Sequence, residues 1–166
     1  MRGPYATRAT SRSSFEHWYP ELFDEVYRAL ALTLRDPVLA ADATQEALVK
    51  AYRRWDEVGR YANPAGWVYR VGLNWARSRV RRLAREVLSV RPEERSGGEL
   101  PTPSDPAVAR ALRALPAGQR AVVVLRLQLD WSVEAVAEAL EISPGTVKSR
   151  LARALARLRG HLEGST

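Results

Sequence analysis

The stretch from Trp131 to Arg159, WSVEAVAEALEISPGTVKSRLARALARLR, restricts the fold more than any other part of this 166-residue chain. It reads as two helices joined by a tight corner. Ser132 predicts an N-cap for a first helix to Leu140, with Val133, Val136, Ala137 and Leu140 apolar at helical spacing. Ser143 predicts a second cap, followed by Pro144 at the first helical position, where a missing N–H costs nothing. Val147, Leu151, Ala154, Leu155 and Leu158 then share one stripe. Thr146, Ser149, Arg150, Arg153 and Arg157 fall on the opposite face, flanked by Lys148 and Arg159. A short corner, a capped second helix and a basic outer face together predict a helix-turn-helix. In that geometry the start of the second helix enters a major groove. Arg150 and Arg153 then lie within reach of guanine edges or phosphates, and Lys148 within reach of a phosphate. The competing reading is a solvated face on an amphipathic helix; the Ser-Pro-Gly-Thr start so soon after a helix end favours the corner. Glu141 falls where such a corner prefers glycine, at a cost of about 0.5–1 kcal/mol.

The charge supports a polyanion partner. The chain carries a formal +7 with a pI near 10.3, which suits nucleic acid better than an acidic small molecule. Residues 1–90 hold 15 Lys and Arg against 10 Asp and Glu, and residues 91–166 hold 11 against 9, so the excess is greater in the first part. There is no cysteine, which excludes disulfides and thiolate metal sites. The two histidines, His17 and His161, lie at opposite ends without metal-ligand spacing. No run approaches the ~20 apolar residues of a membrane span, and the basic start MRGPYATRATSRSS lacks the apolar core of a secretory signal. A cytoplasmic location follows as an expectation, with residues 1–13 a disordered basic tail. No catalytic constellation, nucleotide loop or cofactor motif is visible, so neither an enzyme nor a cofactor is expected.

Along the chain every periodic segment is helical, and no strand signal of any length occurs. Phe15, Trp18, Leu22, Phe23, Val26, Tyr27, Leu30 and Leu34 recur at three- and four-residue steps, with Pro20 expected to split the segment. A helix from Pro37 or Val38 to Trp55 should turn Thr44, Ala47, Leu48, Ala51, Tyr52 and Trp55 inward. Its other face presents Asp42, Glu46, Val49, Lys50 and Arg53. DEVGRYANP, residues 56–64, reads as a loop. The helix from Ala65 to Glu86 should bury Tyr69, Leu73, Ala76, Val80 and Leu83. Opposite lie Trp67, Val71, Asn74, Trp75 and Ser78, bordered by Arg70, Arg77, Arg81 and Arg82. Between Arg70 and Arg85 there are six arginines and no acid; aromatics interleaved with them suit stacking on unpaired bases beside neutralised phosphates. The plainer alternative is that Trp67 and Trp75 pack under neighbouring loops. RPEERSGGELPTPSDP, with four prolines and two glycines, predicts a flexible linker. After it, Asp105 caps a helix to Leu115, and a further helix covers Ala117 to Leu129. The fold class is therefore all-α: two small helical domains, 14–90 and 106–163, joined by a linker over 91–105.

Two blocks resemble a known family. LRDPVLAADATQEALVKAYRRW with NPAGWVYRVGLNWARSRVRR resembles region 2 of the sigma-70 family. ALRALPAGQRAVVVLRLQLDWSVEAVAEALEISPGTVKSRLARALARLR resembles its region 4. The chain thus looks like an extracytoplasmic-function sigma factor, a specificity subunit that directs bacterial RNA polymerase to promoters. The resemblance implies that Asp42, Gln45, Glu46, Val49 and Arg53 grip the clamp helices of the polymerase β′ subunit. It implies that the loop and following helix, through Arg60, Tyr61, Asn63, Trp67, Arg70, Asn74, Trp75, Arg77 and Arg81, capture the melted −10 strand, with Asn74 lining a pocket for a flipped base. It implies that Thr146, Lys148, Ser149, Arg150 and Arg153 read the −35 duplex, while the apolar surface of region 4 holds the β flap. Trp75, Ser78 and Val58 depart from the family pattern at the −10 surface, and Glu141 departs from it at the corner. The partners implied are core polymerase, promoter DNA in duplex and single-stranded form, and an anti-sigma protein, with no membrane and no small-molecule substrate. A conventional helix-turn-helix regulator would leave the α-helical faces around Asn74 and Glu46 without a purpose, whereas a module that binds only protein would show salt-insensitive behaviour and no affinity for nucleic acid.

Overall fold

A computed structural model describes residues 12–87 and 105–163. The sequence-predicted tail and linker lie outside these residues, apart from Arg12, Ser13 and Asp105. Eight α-helices and one π-helical segment make up the described regular structure. In the first domain, α1 (Arg12–Leu34), α2 (Pro37–Arg53) and α4 (Pro64–Val87) pack together, with α3 (Trp55–Val58) as a single turn after α2.

The start of α2 is fixed locally. Asp36 accepts a hydrogen bond from the Leu39 N–H at 2.8 Å, and Pro37 supplies the first helical residue, so one orphan donor is satisfied and another is absent. The inward face of α2 is small: Ala40, Ala43, Thr44, Ala47 and Ala51 are buried beside Leu48. Small side chains allow α1 and α4 to come close. At Gly72 a Cβ would stand 2.8 Å from Leu30 Cδ1 and 3.1 Å from the Ala43 carbonyl oxygen, so this crossing leaves no room for a larger residue. The buried Thr44 hydroxyl donates to the Ala40 carbonyl at 2.7 Å, which satisfies it within its own helix. At the far end of the bundle, the Trp55 indole donates to Ser14 Oγ at 2.8 Å and meets the Phe15 ring edge-on.

Several elements differ from the sequence expectation. Pro20 does not split the first helix; α1 runs through it. The carbonyl left without its partner belongs to Glu16, and both Glu16 and Pro20 are exposed, so water can take the place of the missing N–H. Residues Asp56 to Val58 are helical instead of loop, and Val58 is fully buried. Val80, expected inside, is half exposed, and Leu83 is only partly buried. Tyr52 is likewise 39% exposed.

The second domain comprises α5 (Pro106–Ala114), α6 (Ala117–Val123), α7 (Val133–Leu140) and α8 (Pro144–Glu163). Asp105 caps α5 by accepting from the Ala107 N–H. The helix expected to reach Leu129 changes at Val124 into a π-helical segment, Val124–Gln128. There the Leu129 N–H bonds to the Val124 carbonyl, five residues back, and Asp130 takes a positive φ of 52°. The wider turn keeps Val124 and Leu125 buried, turns Leu127 outward and delivers Trp131 to the core.

The two domains share one buried apolar cluster. Trp131 meets Tyr69 edge-on, with centroids 6.1 Å apart, and its indole donates to Glu25 at 2.9 Å. The Tyr69 and Thr33 hydroxyls are 3.0 Å apart. Arg120 is nearly buried and donates to the carbonyls of Thr33 (3.0 Å), Leu115 (2.9 Å) and Arg113 (3.3 Å). Thr33 lies in the last turn of α1, where carbonyls lack helical partners and carry partial negative charge.

Burial pushes the Tyr69 phenol from 10.0 up to about 12. The folded state therefore favours the neutral phenol, and its contribution is intact below the unfolded value and lost as pH rises through the folded one. Wild-type protein should lose up to about 3 kcal/mol through this group between about pH 10 and 12. Denaturant unfolding followed across that range should show a shallower alkaline slope for Tyr69→Phe; an unchanged slope would assign the loss to other groups.

Candidate nucleic-acid interface

Local bonds set the corner between α7 and α8. Ser132 caps α7 by accepting from the Ala135 N–H at 3.0 Å. Glu141 takes the left-handed conformation, φ 54° and ψ 45°, as the sequence position required. The Ile142 N–H reaches the Ala137 carbonyl and the Glu141 N–H the Glu138 carbonyl, the paired bonds of a Schellman motif. Ser143 then accepts from the Thr146 N–H at 3.1 Å, starting α8 with Pro144 as its first residue. Val147 and Ala154 anchor α8 in the core.

This geometry gathers Thr146, Lys148, Ser149, Arg150 and Arg153 over the first turns of α8. Lys148 and Arg153 are exposed, and the other three are half-buried. Ser149 donates to the Thr146 carbonyl and accepts from Arg153 Nη2 at 3.3 Å. Arg150 lies along the first turn of α6: a Cβ on Gly118 would stand 3.0 Å from its Nη1. Glycine at that position leaves the space the guanidinium occupies.

In the first domain the chain leaves α2 at Arg54, forms α3 and reaches Asn63, whose side chain caps α4. Asn63 Oδ1 accepts from the Gly66 N–H at 2.9 Å, so this predicted strand contact is also a structural cap. Arg60, Asn74, Arg77 and Arg81 are exposed, while Tyr61, Trp67, Arg70 and Trp75 are half-buried. Trp67, Val71 and Trp75 pack partly on the shared core, so the indoles are less free than open stacking platforms. Guanidinium groups lie over both rings: Arg54 is 5.7 Å from the Trp67 centroid and Arg79 is 5.5 Å from that of Trp75.

Two residues of this region escaped the sequence reading. Arg54 donates to Glu57 Oε2 through Nη2 at 2.7 Å and Nε at 3.2 Å. The other carboxylate oxygen of Glu57 accepts from the Tyr61 hydroxyl at 2.5 Å. The Tyr61 hydrogen bond, then the Arg54 hydrogen bond and charge, hold the Glu57 carboxyl below its usual range. The i,i+3 and i,i+4 spacings of these three residues were visible in the sequence, but reading 56–64 as loop hid them.

The first helix of the corner rests on this same region. A narrow crevice is lined by Asn63, Gly66, Trp67 and Arg70 on one side and Ala135, Glu138 and Ala139 on the other. On α2, Asp42, Gln45, Glu46, Val49 and Arg53 are all exposed at three- and four-residue steps. Beside them a groove of about 670 Å³ runs between α1 and α2, walled by Phe15, Tyr19, Leu48 and Tyr52. Among the described residues no group of His, Cys, Asp or Glu is arranged to hold a metal ion, and no helix is long and apolar enough to cross a membrane.

Residues 15–86 match the family described as Sigma-70 region 2, and residues 106–158 match Sigma-70, region 4. The RNA polymerase sigma-E factor of Streptomyces avermitilis is 37% identical over 154 residues, covering 90% of this chain and 85% of the relative. The ECF RNA polymerase sigma factor SigM of Mycobacterium tuberculosis is 34% identical over 161 residues, covering 93% and 81% respectively. Among solved structures, the sigma factor RpoE in complex with the anti-sigma factor NepR from Bartonella quintana superposes with a TM-score of 0.73. At 24% identity it covers 91% of this chain and 98% of its own, a likeness of fold. CnrH in complex with the cytosolic domain of CnrY gives a TM-score of 0.65 at 25% identity, covering 94% and 92%.

The strained corner is directly testable. Glu141→Gly should raise stability by about 0.5–1 kcal/mol, since only glycine takes positive φ without cost. Thermal melts of the two proteins would read it, and an unchanged or lowered melting temperature would mean that Glu141 gains compensating interactions.

Proposed function

Because the chain belongs to the extracytoplasmic-function group of the sigma-70 family, it acts in promoter recognition and transcription initiation with bacterial RNA polymerase, and we propose that three of its faces divide that task. The start of α8 enters the major groove of the −35 element. Arg150 and Arg153 reach base edges or phosphates, Lys148 a phosphate, and Thr146 and Ser149 lie against the same groove. The loop and α4, from Arg60 through Arg81, receive the non-paired −10 strand, with Asn74 at the flipped base. The exposed face Asp42, Gln45, Glu46, Val49 and Arg53 docks on the β′ clamp helices, and apolar surface of the second domain takes the β flap.

One observation carries this reading: a basic helix-turn-helix and an arginine-aromatic helix share a chain with an α2 face that none of the described elements covers. The protein supplies no bond-making chemistry. Bound to core polymerase, its domains sit at a fixed separation, so two modest contacts act as one stronger one. Strand opening follows from preferential binding of the unpaired state and needs no nucleotide hydrolysis. Such work places the protein in the cytoplasm, where the polymerase is.

The packing of α7 against the start of α4 narrows access to Trp67 and Arg70, so core binding must separate the domains before both promoter elements can be read. An anti-sigma partner would favour the packed arrangement. A protein with the same fold is solved in complex with the anti-sigma factor NepR.

Run-off transcription with core polymerase on a genomic promoter library tests the function. Specific start sites should appear only when this protein is added; flat transcription with retained duplex binding would instead make it a conventional regulator. Asn74→Ala should leave core binding intact and reduce permanganate reactivity of the −10 region several-fold, the loss of one hydrogen bond to a base being worth about 1 kcal/mol. Normal reactivity would remove Asn74 from the pocket.

A further inference from the structure

An acidic side chain is out of keeping beside the arginine-rich α4, since it repels the phosphates that such a helix attracts. Glu57 nevertheless sits there, with both carboxylate oxygens engaged by Tyr61 and Arg54. Arg54 in turn lies over the Trp67 ring. The four residues form a chain of contacts from the end of α2, across α3 and the loop, to the first turn of α4.

We propose that Glu57 is a positioning residue for the opened promoter strand: its carboxylate fixes the Tyr61 phenol and the Arg54 guanidinium, and through Arg54 orders the surface presented at Trp67. The inference rests on the reading of this face as the single-strand site. Arg54 and Glu57 are both about half exposed, at 55% and 52%, and an exposed i,i+3 ion pair adds little to folding stability. Stability alone therefore gives this arrangement small purpose, whereas recognition gives it a clear one. Bases stack on guanidinium planes as well as on aromatic rings. A guanidinium held over an indole offers such a plane, and a tyrosine held by its hydroxyl keeps its ring in one place. Ordering these groups before the strand arrives lowers the entropy lost on binding. The partial neutralisation of Glu57 by Arg54 also limits its repulsion of phosphate. The bonding favours an ionised carboxylate, in line with its lowered pKa, whose first cause is the Tyr61 hydrogen bond.

The test uses holoenzyme assembled from core polymerase and the full chain. The probe is a duplex–single-strand junction ending in the −10 strand of a promoter found by run-off transcription. Glu57→Gln should weaken junction binding about fivefold, a partial loss of one base stack. Melting temperature, core binding and affinity for the fully duplex −35 element should not change, a split that a general structural defect would not produce. Tyr61→Phe should weaken the junction comparably, and the double variant should lose little more than either single one, because both break the same tether. Wild-type affinity of Glu57→Gln for the junction, additive losses in the double variant, or equal losses on junction and duplex would each overturn the positioning role. If wild-type holoenzyme initiates transcription yet fails to bind the junction, the single-strand reading of this face falls, and the proposal falls with it.

Discussion

The arrangement of the two domains depends on a buried cation, Arg120, that has no acidic partner among the described residues. Arg120 enters the seam between them and donates to three carbonyls, those of Thr33, Arg113 and Leu115. Burial of a guanidinium is costly unless its donors are met, and here burial lowers its pKa, with nearby Arg35 acting in the same direction. The compensation is the end of α1, whose last carbonyls would otherwise face an apolar seam unpaired. A helix end from one domain and a cation from the other thus satisfy each other. Trp131 adds the apolar share of the same contact, its indole held by Glu25 and its ring set against Tyr69. Polar geometry fixes the register of this seam, and apolar burial gives it area.

That seam has a functional consequence. The helix-turn-helix needs α7 to hold α8 at its angle, and α7 also lies against the start of α4. On the proposed assignment, the face for duplex DNA and the face for a single strand are therefore linked through one short helix. Under that proposal, reading two separated promoter elements would require this link to be broken, and the packed and promoter-bound forms would compete. A partner that separated the domains would then control access to Trp67 and Arg70, which share a crevice with α7.

The recognition loop follows another principle. Asn63 caps α4, Val58 anchors α3, and Glu57 ties Arg54 to Tyr61. The hydrogen bonds of Asn63 and Glu57 each lie within four residues of their partners, so these contacts form locally, while Val58 ties the turn to the core. A loop held this way can keep its form when the domains separate.

The sequence by itself determined the helices, their caps and the faces they present. Asp105, Ser132 and Ser143 cap as read, and Glu141 takes the positive φ its position demanded, because capping and corner geometry involve neighbours only a few residues away. For the same reason Asp42, Glu46, Val49 and Arg53 emerge on one exposed face of α2, and Ser149 and Arg153 on one face of α8. Other features depended on contacts distant along the chain. Pro20 stays within α1 because the affected carbonyl faces solvent, and the π-helical turn at Val124 forms because Trp131 must reach a core built partly by α1 and α4. The half-burial of Trp67 and Trp75, and the pairing of Arg120 with Thr33, arise only when the two domains meet. Periodicity records which face of a helix is apolar, but not which surface will cover it; that was decided by the tertiary structure alone.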